Sequence, residues 1–341
     1  MNRMIKYSQI LKIISFGLLF ISITLNSYSQ DIDIINYDYS KVDSYVLGLG
    51  RKYKDIDKLA NDLTKDFDKD FEKVRAIFRW ITENISYDTK LSKVNKPKSF
   101  TYRTEQELKD ILEQANNKII NDVLRRKKGV CEGYSRLFKT LCHKAEIKTE
   151  IVKGYVKNLP QNIGKEINNQ SNHTWNAVYL SNKWYLIDVT WASGYTDMKV
   201  TKFTKKFRPS YFLISPGKLI LDHYPDDNKW QLLNKKISKK QFFNLPLIKI
   251  GFLKYDISSF KPGQGVIKSK RNEIIEFEYT TQKDITTIYV HKNNDKYSQE
   301  IDFTKNKNNY TFGYSFKSKG TYYFTIYLNK EPTIIYKIVV K

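Results

Sequence analysis

The chain is poor in cysteine, with only Cys131 and Cys142 among its 341 residues. An exported protein can join two cysteines in a disulfide. If both lie on one helix, however, their eleven-residue separation corresponds to about 16 Å at 1.5 Å per residue, whereas a disulfide needs Cα atoms within about 7 Å. We therefore expect two free thiols, and catalysis would explain why an exported protein keeps one.

The sequence also lacks the usual signatures of metal, cofactor and nucleic-acid binding. It has no zinc-finger spacing, no calcium-loop pattern, no cluster with metal-ligand spacing and no internal repeat, so we predict no metal and no cofactor. Acidic residues are scarce: 36 Asp and Glu face 59 Lys and Arg, a net charge of +23. The lysines are scattered and no RNA-binding aromatic motif accompanies them, so we expect no nucleic-acid partner. Acidic envelope polymers remain a possible partner for this charge.

Long apolar runs are absent apart from one near the N-terminus. Basic residues precede an apolar run at positions 13–25, and small residues, Ser27 and Ser29, follow it. This pattern is typical of a secretory signal peptide over residues 1–29 and predicts a periplasmic or extracellular protein. The run of 13 residues is short for a membrane span, so we expect no stable span after cleavage. An uncleaved anchor is the alternative, and the lack of a following cysteine excludes a lipoprotein anchor.

The remaining chain divides near residue 250 by the character of its segments. Apolar residues at helical spacing predict a helix from Phe71 to Ile81. A second helix is predicted over residues 104–124, with Thr104 as its N-cap and Glu107 in the capping-box position. Strand-like segments follow at 147–156, 173–180 and 184–190. We predict an α+β domain over residues 30–249.

Beyond residue 250 the segments are short and rich in β-branched and aromatic residues. Five such segments occur, at 274–280, 286–291, 310–316, 321–328 and 333–340. Strands at this interval are typical of an all-β sandwich. We predict an accessory sandwich domain over residues 250–341, without a catalytic motif of its own.

Cys131 is predicted to begin a helix. It follows Gly129, and an apolar stripe at helical spacing runs from Tyr134 through Leu141 to Ala145. Cys142 falls on that stripe and is most simply a core residue. A helix N-terminus and a neighbouring imidazolium both lower a thiol pKa, so the position of Cys131 favours a reactive thiolate.

His173 and Asp188 are predicted to share one face of a hairpin. A tight turn at 181–183 joins the two strands, and a two-residue turn would pair either Leu180 with Lys183 or Ser181 with Trp184. In both registers Asp188 lies on the face of His173, because side chains alternate with period two. A three-residue turn would break this parity unless a bulge restored it. The three residues together predict a site in which His173 activates Cys131 and Asp188 orients the ring.

Each residue alone has a structural explanation. A cysteine on an apolar helix is usually core, a histidine beside a tryptophan is usually packed, and an aspartate at the end of a strand often caps a turn. The order of the three residues and the free thiol favour the catalytic interpretation when they are taken jointly.

Three blocks of sequence resemble the transglutaminase-like superfamily. The segment Gly-Val-Cys-Glu-Gly-Tyr-Ser at 129–135 resembles its nucleophile helix, 173–178 resembles its histidine strand, and 184–191 resembles its aspartate strand. Four further segments resemble the kyphoscoliosis-peptidase-like branch of this superfamily. They lie at 80–88, 211–216, 223–225 and 230–232. The likeness covers roughly residues 70–245. It implies a papain-like α+β fold with a nucleophile helix packed on an antiparallel sheet.

The resemblance also implies roles for individual residues. Cys131 would be the nucleophile, His173 the base and Asp188 the group that orients it. The oxyanion hole would use the backbone N–H of Cys131 and one side-chain donor, for which Trp80 is a candidate. His223 would belong to a structural motif of the family, and the C-terminal domain would be an immunoglobulin-like module by analogy.

Three functions are compatible with these residues. The leading hypothesis is a secreted thiol enzyme that acts on amide bonds of a protein or peptide substrate through an acyl-enzyme, most simply a cysteine peptidase or amidase. A transglutaminase would share the first half-reaction and use a lysine amine instead of water. A non-catalytic binding or scaffold module of the cell envelope is the third hypothesis, although a pure binder needs none of the three catalytic groups.

Overall fold

The computed structural model describes residues 33–94, 101–165, 171–197, 199–293 and 295–341. The predicted signal peptide, residues 1–29, lies outside this part of the chain. Residues 33–39 belong to one unit, in which the Tyr39 hydroxyl donates to the Ile34 carbonyl over 2.7 Å. Residues 40–341 form the second unit, which carries every element described below.

The first half of this unit is mainly helical. Its elements are α1 (Ser40–Leu49), α2 (Ile56–Thr64), α3 (Asp70–Asn84), β1 (Ser86–Tyr87), α4 (Glu105–Arg126), β2 (Lys128–Gly129) and α5 (Cys131–Lys144), with a 3₁₀ turn at Leu91–Lys93. Helix α3 confirms the predicted helix and is buried along most of its length. Helix α4 begins as predicted, because the Thr104 hydroxyl accepts from the Glu107 N–H. The Glu107 carboxylate reaches the Arg103 N–H (2.6 Å) rather than that of Thr104.

A four-stranded antiparallel sheet, in the order β5-β4-β3-β8, lies after the helices. The elements of this region are β3 (Thr149–Val156), β4 (His173–Leu180), β5 (Lys183–Ile187), α6 (Val189–Ser193), β6 (Gly194–Thr196), β7 (Phe203–Lys205), α7 (Pro216–Leu219), β8 (His223–Pro225) and α8 (Lys239–Phe243). Further 3₁₀ turns occur at Pro160–Asn162, Pro209–Tyr211 and Asn228–Gln231. Helix α5 contacts β4 and β3, and this helix-on-sheet layer is the predicted papain-like core.

The last third of the chain is a β-sandwich. Its elements are β9 (Leu247–Ile248), α9 (Ile250–Lys254), β10 (Ser259–Lys261), β11 (Val266–Ser269), β12 (Ile274–Thr280), β13 (Ile288–Lys292), β14 (Gln299–Ile301), β15 (Thr304–Asn306), β16 (Asn309–Ser315), β17 (Gly320–Leu328) and β18 (Glu331–Val340). One sheet has the order β10-β12-β16-β15 and the other β11-β18-β17-β13-β14, with β9 added on β18. Within the described residues every pairing of these two sheets is antiparallel except that of β11 with β18.

The two sheets pack through aromatic side chains. The Phe277 ring of β12 lies 5.5 Å from the Phe324 ring of β17 and 5.4 Å from the Tyr336 ring of β18, measured between centroids. All three side chains are fully buried. The predicted sandwich is therefore confirmed, while its likeness to an immunoglobulin domain stays a prediction.

The sandwich and the preceding α+β core share a seam. Strand β9 pairs with β18 through Leu247 and Ile248, so residues before position 250 already belong to a sheet of the sandwich. The Lys157 ammonium, just after β3, donates to the carbonyls of residues 242, 245 and 246 over 2.8–3.3 Å. The division at residue 250 stays a prediction.

No helix in the described ranges is long and apolar enough to cross a membrane.

Candidate active site

Cys131 is the first residue of α5, as its sequence context predicts. The preceding Val130 is extended and provides no side-chain cap. Glycines let α5 approach α4 closely, because a Cβ at Gly129 would lie 2.9 Å from a methyl carbon of Val123 and one at Gly133 would lie 2.7 Å from it. The first N–H groups of a helix have no partner within the helix. The Cys131 thiol and backbone N–H therefore lie together at the positive end of α5.

His173 and Asp188 meet because the hairpin turn has two residues. Ser181 and Asn182 both adopt positive φ, 46° and 61°, as a tight hairpin turn of type I′ requires. Leu180 pairs with Lys183, which is one of the two predicted registers. The parity prediction for Asp188 is confirmed.

The second strand is shorter than predicted. It ends at Ile187 rather than at position 190, because Asp188 caps the short helix α6. The Asp188 Oδ1 accepts from the Trp191 N–H over 2.9 Å. The other oxygen, Oδ2, is left to face the histidine, so one carboxylate both ends the strand and orients the imidazole.

The three predicted catalytic residues are brought together. The His173 Nε2 lies 2.6 Å from the Asp188 Oδ2, and the ring forms a hydrogen bond with the Cys131 sulfur. Because Nε2 faces the carboxylate, Nδ1 is the nitrogen left for the thiol. Asp188 is fully buried and His173 is 6% exposed, while Cys131 is partly exposed.

The electrostatics of the site favour a thiolate–imidazolium pair. Burial raises the pKa of the Cys131 thiol, but the hydrogen bond and charge of His173 outweigh burial and leave that pKa below its ordinary value. Burial lowers the pKa of His173, but the Asp188 carboxylate raises it to about 10. Burial likewise opposes ionisation of Asp188, yet the two histidines beside it hold its pKa well below the usual range. Cys142 differs, because complete burial raises its pKa to about 12.

Thr174 is a site residue that the sequence analysis missed. Its side chain and its backbone both interact with the Cys131 sulfur and lower the pKa of the thiol. The Ser135 hydroxyl donates to the Thr174 hydroxyl oxygen over 3.3 Å. The only sequence signal was that Thr174 directly follows His173.

His223 extends the triad, although the sequence analysis gave it a structural role only. Its Nε2 lies 2.9 Å from the Asp188 Oδ2, and its Nδ1 forms a short hydrogen bond with Asp222. Two ionised carboxylates only accept hydrogen bonds, so they favour the cationic form of His223, in which both ring nitrogens donate. Burial lowers the pKa of His223, and the two carboxylates outweigh burial and raise it. The chain Cys131–His173–Asp188–His223–Asp222 is thus a continuous charged network.

Mutual hydrogen bonds explain the cluster of His173, Asp188 and His223, whose ligand atoms lie within 4.8 Å of one another. A tetrahedral ion bound at about 2.1 Å would hold two of its ligand atoms about 3.4 Å apart. The observed 2.6 and 2.9 Å between these atoms are hydrogen-bond distances. The arrangement therefore fits shared protons better than a metal ion.

Aromatic rings enclose this network. Trp175 stacks on His173 at 6.1 Å between centroids, and Trp191 contacts His223 at 4.6 Å. Trp175 is 1% exposed. These rings keep water away from the buried carboxylate, which strengthens its interaction with both imidazoles.

Trp80 is placed differently from its predicted role as an oxyanion donor. Its indole N–H donates to the Gly50 carbonyl over 3.0 Å, and its ring is completely buried beside Tyr53 and Lys127. A role in the oxyanion hole would require this hydrogen bond to break. The role stays a prediction.

A cleft of about 570 Å³ reaches the triad through His173. Its wall includes Tyr87, Trp191 and Tyr195 from the core and Ile248 and Pro332 from the seam with the sandwich. A separate cavity of about 640 Å³ is lined by residues 150, 151, 184, 229, 230 and 232 and contains none of the triad. The cleft beside His173 therefore adjoins the triad, and Cys131 is not itself among its lining residues.

Comparison with known proteins agrees with the geometry. Residues 57–189 match the model of the transglutaminase-like superfamily. The kyphoscoliosis peptidase of Homo sapiens is 32% identical over 246 residues, which are 72% of this chain and 34% of that protein. The kyphoscoliosis peptidase of Mus musculus is 33% identical over 214 residues, 63% of this chain and 30% of that protein.

A more distant relative is Hillarin of Drosophila melanogaster. It is 26% identical over 243 residues, 63% of this chain and 27% of that protein. The chain thus spans about a third of the length of the kyphoscoliosis peptidases that it matches. Through residues 57–189, the chain belongs to the transglutaminase-like superfamily, in the branch of the kyphoscoliosis peptidases.

Proposed function

We propose that this protein is a thiol enzyme that cleaves amide bonds of protein or peptide substrates through an acyl-enzyme. The observation that carries the proposal is the contact of Cys131 at a helix N-terminus with an imidazole that Asp188 holds at 2.6 Å. The lowered pKa of Cys131 and the raised pKa of His173 support a nucleophile that is already ionised at neutral pH.

The first half-reaction transfers the acyl group to sulfur. The Cys131 thiolate attacks the carbonyl carbon of the amide and forms a tetrahedral oxyanion. The imidazolium of His173 gives its Nδ1 proton to the leaving nitrogen, the C–N bond breaks, and a thioester and a free amine result. Asp188 stabilises the imidazolium and fixes its orientation without taking the proton.

The oxyanion would be stabilised at the start of α5. The Cys131 backbone N–H has no partner within the helix and belongs to the residue whose sulfur attacks. The positive end of the helix favours a developing negative charge there. The position of Cys131 at the start of α5 supports this backbone donor.

The second half-reaction would return the thiol. Water attacks the thioester, gives one proton to His173, and releases a carboxylic acid as the C–S bond breaks. A lysine amine in place of water would form a new amide, which is the transglutaminase alternative. We favour hydrolysis because water is abundant.

We further propose that the protein is exported to the periplasm or extracellular space, which the pattern of residues 1–29 supports. In that space acidic envelope polymers could meet the basic surface of the protein.

The test compares wild-type protein with Cys131→Ala and Cys142→Ala. Peptide-library cleavage and incorporation of a labelled amine are measured in parallel. We expect cleavage by the wild type and by Cys142→Ala, and none by Cys131→Ala. Equal activity of wild type and Cys131→Ala in both assays would refute an enzyme, and amine incorporation without cleavage would favour the transglutaminase.

A further inference from the structure

The cleft beside His173 has an excess of positive charge. The basic side chains in its wall are Lys157, Lys206, Arg208 and Lys249. Two acidic residues also line it, and both are already engaged. Asp222 pairs with His223, and the Glu331 carboxylate lies 2.8 Å from the Lys254 ammonium.

Lys157 is not available to a ligand. Its ammonium is fully buried and donates to three backbone carbonyls. An ammonium has three donor hydrogens, so the group is satisfied where it stands. Lys157 therefore holds the seam together and does not take part in binding a ligand.

Arg208 and Lys249 differ from Lys157 because no carboxylate touches their charged groups, although Glu331 acts on Arg208 and Asp222 acts on Lys249 from farther away. In the part of the chain that the structure describes, neither has a carboxylate oxygen within 4.0 Å. The Arg208 Nε is buried and has no hydrogen-bond partner. Lys249 makes one long contact, 3.5 Å from its ammonium to the Asn158 carbonyl.

The two cations also repel one another. Burial lowers the pKa of Lys249, Asp222 partly offsets this effect, and the charge of Arg208 lowers that pKa further. Burial is likewise the main cause that lowers the pKa of Arg208. An anion between these groups would remove the repulsion and accept the unused donors.

The backbones of both residues are fixed. The Arg208 N–H donates to the Ala192 carbonyl over 2.9 Å, and the Lys249 N–H donates to the Thr333 carbonyl over 2.8 Å. The Arg208 guanidinium also lies 5.1 Å from the centroid of the Tyr195 ring. This ring contact limits the motion of the Arg208 guanidinium, so less entropy is lost when the guanidinium binds a planar anion.

We propose that Arg208 and Lys249 bind a carboxylate of the substrate, so that the enzyme selects peptides with a carboxylate near the reacting bond. The proposal rests on the proposed function, since it names the substrate class of the same cleft. The planar fork of an arginine matches a carboxylate with two parallel hydrogen bonds. An acidic side chain and a free C-terminus both supply this group.

The test measures binding in full-length Cys131→Ala, which cannot consume the peptide. Four fluorescent hexapeptides share one sequence and differ only in a central Glu or Gln and in a free or amidated C-terminus. At 150 mM salt we expect the Gln amide to bind about 10- to 100-fold more weakly than the best carboxylate peptide. The Glu amide and the Gln free acid separate the two sources of the carboxylate.

Two added substitutions locate the effect. Arg208→Gln and Lys249→Gln, each in the Cys131→Ala background, should reduce the preference to less than about threefold. Lys268→Gln removes an exposed charge of β11 and should leave the preference unchanged, which controls for general attraction by a basic protein. Circular dichroism checks folding, and Lys249→Gln serves if Arg208→Gln does not fold.

Equal affinity for all four peptides, or a preference that survives both cleft substitutions, would overturn the inference. Cleavage of the same peptides by wild type is measured separately. Cleavage without charge preference would leave the proposed function standing and refute the carboxylate site. Selective binding without cleavage or amine incorporation would keep the site and refute the enzyme.

Discussion

Replacement of Asp188 with asparagine tests the electrostatic design of the site. The Asp188 carboxylate raises the pKa of His173 to about 10 from an ordinary 6.5. The difference of roughly 3.5 units corresponds to about 5 kcal/mol in favour of the imidazolium, at about 1.36 kcal/mol per unit. Asparagine keeps the size of the side chain and loses its charge. We expect the pKa of His173 to fall, because burial disfavours its charged form and only the smaller effects of Cys131 then oppose burial.

The assay is the rate of alkylation by iodoacetamide as a function of pH. In wild type we expect a midpoint well below about 8.5, the value of an ordinary thiol. In Asp188→Asn the midpoint should rise to about 8.5 or higher, so that about 3% or less of the thiol is ionised at pH 7. Cys142 should not react, because it is fully buried and its pKa is about 12. Mass spectrometry of the labelled peptide confirms which cysteine is modified.

The matched control is Asp284→Asn. Asp284 is exposed and pairs with Lys305 in the sandwich, so this variant should keep the wild-type profile. Cleavage by Asp188→Asn should fall by about 10²- to 10⁴-fold. An unchanged alkylation midpoint in a folded Asp188→Asn protein would refute the reasoning, because Asp188 would then not control the charge of the site.

Three further predictions concern the network and the seam. His223→Gln leaves Asp188 with one imidazolium, so the alkaline limb of the pH profile of kcat/KM should move to higher pH. The free energy of unfolding in urea should fall by about 3–5 kcal/mol. An unaltered alkaline limb would argue against charge sharing between the two histidines. Gly154→Ala would place a methyl group 2.2 Å from the Tyr224 carbonyl oxygen, so urea denaturation should show a loss of about 2–3 kcal/mol, and a wild-type midpoint would contradict this packing. The pKa of Lys157 is lowered by burial from 10.5 to about 7, so the unfolded state binds more protons between these values and wild-type stability gains as pH rises through them. Lys157→Met should lack this gain when unfolding is measured at pH 7 and 9.5, and an equal pH dependence in both proteins would refute the lowered pKa of Lys157.

The meeting of Cys131, His173 and Asp188 was predictable because its geometry follows from local rules. Side chains alternate with period two on a strand, and a two-residue turn fixes the register. These rules placed His173 and Asp188 on one face before the structure was known. The start of the helix at Cys131 followed from the apolar stripe behind it. What the pattern could not show was that Asp188 leaves the strand to cap α6.

The extension of the triad was not predictable from sequence spacing. His223 follows Asp188 by 35 residues. Strand β8 reaches the site only because it pairs with β3, along the edge of β3 opposite to β4. Sequence spacing carries no information about such a non-local meeting. The same limit applies to Trp80, whose indole N–H donates to a backbone carbonyl thirty positions earlier.

The long strands of the sandwich were predicted from the sequence, and several of its short edge strands were not. Strand β12 has the predicted bounds, and β17 differs by one residue at its start. Strands β10, β14 and β15 have three residues each, which is too few to establish an alternating pattern. The cleft could not be predicted from the sequence because its wall combines segments that lie far apart in the chain, from residue 87 to residue 332.

The pairing of β9 with β18 sets an order of events during biosynthesis. A nascent chain that has reached residue 190 already contains the nucleophile, its base and the orienting acid. It still lacks residues 331 and 332, which lie in the wall of the cleft, and the strand against which residues 247 and 248 are held. The ribosome must therefore add β18 before this wall can close, so the complete cleft forms only after the late segments of the chain have folded.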